Sequence, residues 1–262
     1  MAEAKKRIVF CTYSSVYSSL VLKRLLSDEG VEVVGIINST RVISPEYGFI
    51  RGALAQVNKS GWRYSGYLFL VTDLFAGLKP AKTIHGLAKK NDIPLLDTLD
   101  INGLKSLDFI QEIKADSLLA AHFNQLIKKP LLDMKCLNIH PSLLPAFKGV
   151  DPVFYALLEN QPIGVTLHEM AESFDTGDIL LQKNCSLESS ATVFSANCKL
   201  FDVGAAMALT YLHSPNQPKL VQNKSDEYDS WPRRADISQF RRLGKRLIKL
   251  PELWRYLFGG RV

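Results

Sequence analysis

No apolar run in this chain approaches the ~20 residues needed to cross a bilayer. The opening MAEAKKRIVFCTYSS follows its lysines with only a six-residue stretch, Ile8 to Tyr13, before the serines. That excludes a spanning helix and a secretory leader there, and the expected location is the cytoplasm. Cysteine is scarce: Cys11, Cys136, Cys185 and Cys198 form no Cys-x-x-Cys pair, so they are expected reduced and mostly buried, with no zinc site. The five histidines lie far apart without metal-ligand spacing, and no metal is expected. No internal repeat or low-complexity tract interrupts the chain.

What is present is an ordinary globular composition: 262 residues, 47% hydrophobic and 22% charged, suited to one large domain with a short appendage. Positive charge is concentrated at one end. Residues 233–262 hold nine Lys or Arg against two acids, a net of +7, while the whole chain carries +6. RIVFCT, VEVVGIINS, IPLLD, SLLAA and CLNIH have strand patterning. VYSSLVLKRLLSDEG, AKTIHGLAKKND, INGLKSLDFIQEIKAD and a short QLIKKPLLDM have helical patterning, with Gly30 placed as a helix stop. GVTLHEM and GDILLQKNCSL predict two adjacent strands before a long helix around 190–213. This alternation predicts an α/β fold, a mostly parallel sheet with helices on both faces. A main domain is expected over 1–213 and a C-terminal extension over 214–262. Residues 41–79 form an irregular insert containing EYGFIRGALAQV and the aromatic-rich GWRYSGYLFLVTDLFAGL. The second piece predicts a buried helix, or else an interfacial or substrate-facing segment.

CLNIHPSLLPAFKG, residues 136–149, sets an asparagine and a histidine one residue apart where an apolar run meets prolines. Cys136, Leu137 and Ile139 give strand character, and Pro141 removes the next backbone donor, so the strand stops at His140. Side chains repeat every two residues, which places Asn138 and His140 on one face. They project from a strand's carboxyl end, where open α/β sheets bind ligands. Alone, the pair reads better as a satisfied core histidine beside a turn-forming asparagine.

From His140 onward the chain continues HPSLLPAFKGVDPVFYALLENQPIGVTLHEMAESFDTGDILLQ. Asn138-x-His140-Pro-Ser-Leu-Leu-Pro, Gly149, the GVTLH strand and Asp175-Thr-Gly177-Asp-Ile together resemble the 10-formyltetrahydrofolate-dependent formyltransferase family. Methionyl-tRNA, glycinamide ribonucleotide and sugar N-formyltransferases belong to it. The likeness continues more weakly from residue 6 to about 205. It implies a Rossmann-like catalytic domain, 10-formyltetrahydrofolate as co-substrate, no metal, and Asn138, His140 and Asp175 as the catalytic set. It further implies folate contacts from His122, Phe123, Asn124, Gln125, Leu126, Ser142 and Gly177, and acceptor contacts from Ser14, Ser15, Lys148, Gly149 and His168.

The chemistry suits those residue types. Amine attack on the formyl carbon places negative charge on oxygen, and Asn138 and His140 can donate to it; one such donor is typically worth about 100- to 1000-fold. A carboxylate must relay the amine proton, directly or through water, worth roughly 100- to 10,000-fold, and Asp175 is the candidate. Beside His140 it is also expected to raise that residue's pKa and orient its ring. Plainer readings stand beside these: Asp175 before Thr-Gly as a turn former, Ser142 as a helix cap, His168 as a structural strand histidine.

Departures from the subfamilies narrow the acceptor. Glycinamide ribonucleotide formyltransferases carry a glycine-rich phosphate loop after the first strand, whereas CTYSSVYSS has no glycine, so the backbone cannot approach a phosphate as closely. Methionyl-tRNA formyltransferases add a β-rich domain for which too few residues remain, which disfavours tRNA. Formyltetrahydrofolate hydrolases add an N-terminal regulatory domain, and none precedes Arg7. The expected acceptor is therefore a small-molecule amine, an amino sugar on a nucleotide or lipid phosphate. The alternatives are an abbreviated methionyl-tRNA formyltransferase and, in another class, a non-catalytic folate- or membrane-binding protein. In QFRRLGKRLIKLPELWRYLFGGRV, Phe240, Leu243, Leu247 and Leu250 fall on one side of a helix and Arg241, Arg242, Lys245, Arg246 and Lys249 on the other. Pro251 is expected to end it, and Trp254, Tyr256 and Phe258 beside Arg255 suit an anionic membrane surface. Such an extension docks on the core with a solvated basic face, brings the enzyme to the inner face of the membrane as a peripheral protein, or meets RNA phosphates.

Overall fold

The computed structural model describes residues 5–42, 48–215 and 231–258; Glu46 and Tyr47 of the insert and Arg261 of the basic stretch lie outside them. Seven strands form one sheet: β1 (Lys6–Tyr13), β2 (Val31–Ser39), β3 (Leu95–Thr98), β4 (Ser117–Ala121), β5 (Lys135–His140), β6 (Gly164–Glu169) and β7 (Ile179–Asn184). Their spatial order is β3-β2-β1-β4-β5-β6-β7. The strands from β3 across to β5 pair in parallel, and β6 and β7 each pair antiparallel with the strand before. Period-2 alternation divides the core: Ile8 and Phe10 of β1 enter a larger apolar cluster, Val9 and Cys11 a smaller one on the opposite face.

The larger cluster is covered by α1 (Val16–Leu26), α2 (Phe49–Phe69), α3 (Phe75–Leu78), α4 (Ile84–Lys90), α6 (Pro152–Leu158) and α7 (Val193–His213). The smaller lies under α5 (Leu104–Ile113). Fully buried side chains such as Phe10, Ile36 and Phe194 each contribute roughly 1.5–3 kcal/mol in transfer terms. Helices thus cover both faces of a mostly parallel sheet, as predicted. The chain leaves β1 toward β2 and β3, then crosses back to β4 and proceeds the other way. Strand order reverses between β1 and β4, and the carboxyl ends beside that reversal frame the ligand crevice of such sheets.

Four local expectations are corrected. Gly30 does not stop α1: the helix ends at Leu26 with Ser27 as a right-handed cap. Gly30 instead leads into β2, where its carbonyl accepts from the Lys6 amide and an added Cβ would meet the His213 ring at 2.3 Å. QLIKKPLLDM is helical only over one 3-10 turn, Leu131–Asp133, because Pro130 has no N–H to give to a longer helix running through it. The insert is largely helical rather than irregular, kinked at Gly61 (φ 80°) and passing through one turn of wider pitch at Leu70–Leu74. It buries Tyr64, Tyr67 and Phe75 but exposes Trp62 and Phe69, so it is amphipathic rather than buried.

The extension is two helices, α8 (Arg234–Arg242) and α9 (Leu250–Phe258), because Gly244 turns the chain at φ 75°. Pro251 sits in the first turn of α9, where its missing N–H costs nothing, so it begins a helix rather than ending one. Ile237 and Phe240 of α8 are buried, with Phe240 stacked 4.6 Å from Phe154. The carbonyls of Arg246 and Leu247 accept from the amides of Val193 and Phe194 at the start of α7. The extension therefore docks on the core. Among the described residues no helix is long and apolar enough to cross a membrane.

Candidate active site

Alternation along β5 places Asn138 and His140 on one face at its carboxyl end, and antiparallel β6 sets His168 opposite Asn138. The β6–β7 connection carries Asp175 up to them in a left-handed conformation (φ 53°) that aspartate tolerates. Gly177 makes this path possible, because a Cβ there would lie 1.8 Å from the Glu169 carbonyl oxygen. The loop after His140 is also turned back, with Phe147, Gly149 and Asp151 all left-handed at φ 53°, 90° and 52°. This aims the Gly149 amide at Asp175 Oδ2, 2.8 Å away.

Asp175 Oδ1 is the hub. It lies 3.4 Å from His140 Nδ1, 3.4 Å from His168 Nε2 and 3.4 Å from Asn138 Nδ2. Both histidines and the carboxylate are buried. Hydrogen positions follow from partners that can only accept. His140 Nε2 donates to the Phe147 carbonyl at 2.9 Å, so in the neutral ring Nδ1 is the bare nitrogen facing Asp175. His168 Nδ1 donates to the Glu169 carbonyl at 2.7 Å, leaving Nε2 to accept from Asn138 Nδ2 at 3.0 Å. Asn138 thus gives its short bond to His168 and its long one to Asp175. The long one is the hydrogen that a substrate oxygen can take over.

Electrostatics separate the two titrating partners. Burial lowers the pKa of His140, and His168 and Lys148 lower it further; the Asp175 charge and the Phe147 carbonyl oppose this without overcoming it. The carboxylate does act to raise the histidine's pKa, as expected, but desolvation is the larger effect and the net shift is downward. Burial pushes Asp175 up, but the charge on His140 when its ring is protonated, with His168 and the Gly149 amide, outweighs it and holds the carboxyl well below its usual range. At neutral pH the pair is an ionised carboxylate behind a neutral imidazole with its lone pair available.

Residues 103–210 match the family model described as formyl transferase. Over that segment the chain is similar to the formyl transferase family. A methionyl-tRNA formyltransferase from Ehrlichia ruminantium (strain Welgevonden) is 32% identical over 148 residues, 55% of this chain and 49% of that protein. The chain spans about half the length of the curated relatives it matches. Among solved structures, a sugar N-formyltransferase from Shewanella sp FDAARGOS_354 aligns with TM-score 0.55 at 18% identity, over 98% of this chain and 90% of that one. Glycinamide ribonucleotide transformylase 1 from Symbiobacterium toebii aligns with TM-score 0.56 at 18% identity, over 86% and 95%. These likenesses establish the α/β formyltransferase fold.

Other residues singled out in the sequence take varied places on this formyltransferase fold. Ser15 is buried as the cap of α1, exchanging hydrogen bonds with Ser18, and its Oγ lies 3.1 Å from His122 Nδ1. Its side chain is thus engaged by the start of the helix and by the residue that follows β4. Ser14 is held by its amide, which donates to Asn38 Oδ1 at 3.0 Å. His122 is left-handed (φ 51°) and Asn124 bridges Ser39 and the Arg41 carbonyl. Gln125 is buried, accepting from the Ile101 amide and donating to Ser39. These side chains brace loops and leave the backbone from His122 through Phe123 to Leu126 at the end of β4. Ser142 caps no helix, since its Oγ donates to the Ala146 carbonyl at 2.9 Å and tightens the loop after β5. Lys148 is buried beside the hub.

Asp151 and Tyr64 escaped the sequence reading. Tyr64 Oη donates to Asp151 Oδ2 at 2.8 Å, tying α2 to the loop that carries Gly149. Burial raises the Asp151 pKa to about 6, against hydrogen bonds from Tyr64, Asn197 and the Phe154 amide. The only local signal was Asp before Pro at a helix start, which does not reveal a partner 87 residues away.

Proposed function

We propose that this protein is an N-formyltransferase that moves a formyl group from 10-formyltetrahydrofolate to the primary amine of an amino sugar carried on a nucleotide or lipid phosphate. The observation that carries the reading is the buried Asn138–His140–His168–Asp175 cluster at the carboxyl end of β5. When bound, the folate supplies an activated formyl group. The donor set fits such a co-substrate, since it pairs an amide donor with a base and an ionised carboxylate. His122 to Leu126, Ser142 and Gly177 border the place where it would be held.

Asn138 turns its long-bonded hydrogen onto the formyl oxygen as negative charge grows there. The amine's proton passes, directly or through water, to the pair formed by His140 Nδ1 and Asp175, and from that pair a proton returns to the folate nitrogen as its bond to the formyl carbon breaks, so that tetrahydrofolate leaves. A proton between them converts a lone pair facing a carboxylate into an ion pair, which offsets part of the cost that burial places on the charged ring. His168 keeps Asn138 in register, and the Gly149 amide keeps Asp175 in place.

The start of α1 supports a sugar acceptor over glycinamide ribonucleotide. The amide of Ser14 already donates to Asn38, that of Ser15 to Ser18 Oγ and that of Ser18 to Ser15 Oγ. With no glycine among them, these satisfied donors make a poor phosphate cradle. The length match to the Shewanella sugar N-formyltransferase, which takes in the extension as well, points the same way. The 32% identity to methionyl-tRNA formyltransferases favours a second reading in which methionyl-tRNA is the acceptor. Assaying the purified chain with 10-formyltetrahydrofolate against amino-sugar nucleotides, methionylated initiator tRNA and glycinamide ribonucleotide distinguishes them. Turnover with the first alone is expected. Turnover with the tRNA alone selects the second reading, and turnover with none of the three refutes formyl transfer to these amines.

A further inference from the structure

We infer that the outer face of α9, together with Leu78 and Lys79 at the end of the insert, is a docking surface for an anionic lipid membrane. The inference does not depend on which amine is formylated. Leu250, Trp254 and Phe258 recur every four residues, so they form one stripe along the helix. They are 81%, 67% and 55% exposed, although α8 turns its own large apolar residues, Ile237 and Phe240, into the core. The Trp254 and Phe258 rings lie 4.3 Å apart and present a joint apolar surface. Beside them, Lys79 Nζ sits 4.4 Å over the Phe258 ring, and Leu78 is also exposed. Two segments far apart in sequence thus contribute apolar and cationic groups to one patch.

Charge decides the partner. Glu252, the one acid in the α9 sequence, is turned inward, accepting from Thr192 Oγ1 and the Lys249 amide. Lys245 and Lys249 are also used inside, reaching the Leu157 and Ser190 carbonyls, so they anchor the extension rather than form the solvated face expected of them. Among the exposed cations are Arg255 on α9, Arg246 ahead of it, and Arg241 and Arg242 at the end of α8. An aromatic and aliphatic stripe flanked by cations matches the boundary between acidic headgroups and acyl chains, where such a helix lies in the plane of the surface. RNA phosphates would satisfy the cations but leave three large apolar side chains in water. A second copy would bring together two segments that each carry a net +7.

The test is co-sedimentation of the full chain with vesicles of phosphatidylcholine, with and without phosphatidylglycerol. Binding is expected to the anionic vesicles only, released by salt at about 0.5 M, where screening is strong. The double variant Trp254→Ser/Phe258→Ser is expected to lose at least about tenfold in affinity, because the inserted apolar area is gone. Both side chains are exposed, so its melting temperature should match the parent's. Leu243→Ser, also exposed but outside the stripe, should bind like the parent. Failure of the full chain to bind anionic vesicles overturns the inference, as does unchanged binding by the double variant. So does a double variant that binds vesicles normally but loses tRNA binding or self-association.

Discussion

Replacing Asp175 with asparagine keeps the shape of the hub and an oxygen for the Gly149 amide while removing the charge. At 3.4 Å from His140 Nδ1, a unit charge interacts by about 5 kcal/mol at an effective dielectric near 20 and about 1 kcal/mol at that of water. The His140 pKa, already lowered by burial, should therefore fall further. The amide's NH2 group would also donate to the lone pair on Nδ1 that is meant to take the amine's proton. Both effects act on proton acceptance, so kcat is expected to drop by roughly 100- to 10,000-fold. Steady-state formyl transfer gives kcat, and nuclear magnetic resonance titration of the His140 ring gives the second readout. A variant with kcat within about tenfold of the parent and an unmoved His140 titration would refute the proton-acceptor assignment.

Three further outcomes follow from the geometry. Gly177→Ala forces a methyl to within 1.8 Å of the Glu169 oxygen, so the β6–β7 connection must shift; a loss of at least about 3 kcal/mol by chemical denaturation is expected, along with activity. Asp151 has its pKa raised to about 6 in the fold against ~3.9 in the unfolded chain, so between those values the folded state holds the proton that the unfolded one has shed. Its contribution to stability therefore declines as pH rises from about 4 to about 6, by up to about 3 kcal/mol and less where solvent reaches the carboxyl. Asp151→Asn should remove that decline, matching the parent near pH 4 and exceeding it at pH 7 in denaturation curves. Asp175 has the opposite sign: its depressed pKa stabilises the fold above the unfolded carboxyl pKa and is lost as pH falls, so Asp175→Asn should flatten the acid limb of the parent's stability profile.

Much of the layout was legible because short-range patterning controls it. VEVVGIINS and SLLAA form β2 and β4 over the expected residues, since both strands are buried on two faces and read as continuous apolar runs. Asn138 and His140 share a face because strand alternation allows nothing else. The misjudged pieces were those with competing local signals. Gly30 and Pro251 can each mark either side of a helix boundary, and packing against His213 and the start of α7 settled which. Gly244 split a helical wheel that was amphipathic on paper, because its left-handed backbone outweighs the side-chain pattern around it. His168 could only be weighed evenly between structure and chemistry until β6 paired with β5 and put it against Asn138.

The sequence by itself determined the alternating strand and helix order, the strand end that carries Asn138 and His140, and the concentration of positive charge after residue 232. Those depend on residue type and spacing along the chain. Only the tertiary structure decided that Asp175 meets three partners through one oxygen, that burial beats its charge in setting the His140 pKa, and that Tyr64 holds Asp151. Each is a balance between desolvation and contacts made across 7 to 87 residues of chain, and neither burial nor distance exists until the sheet has closed around them.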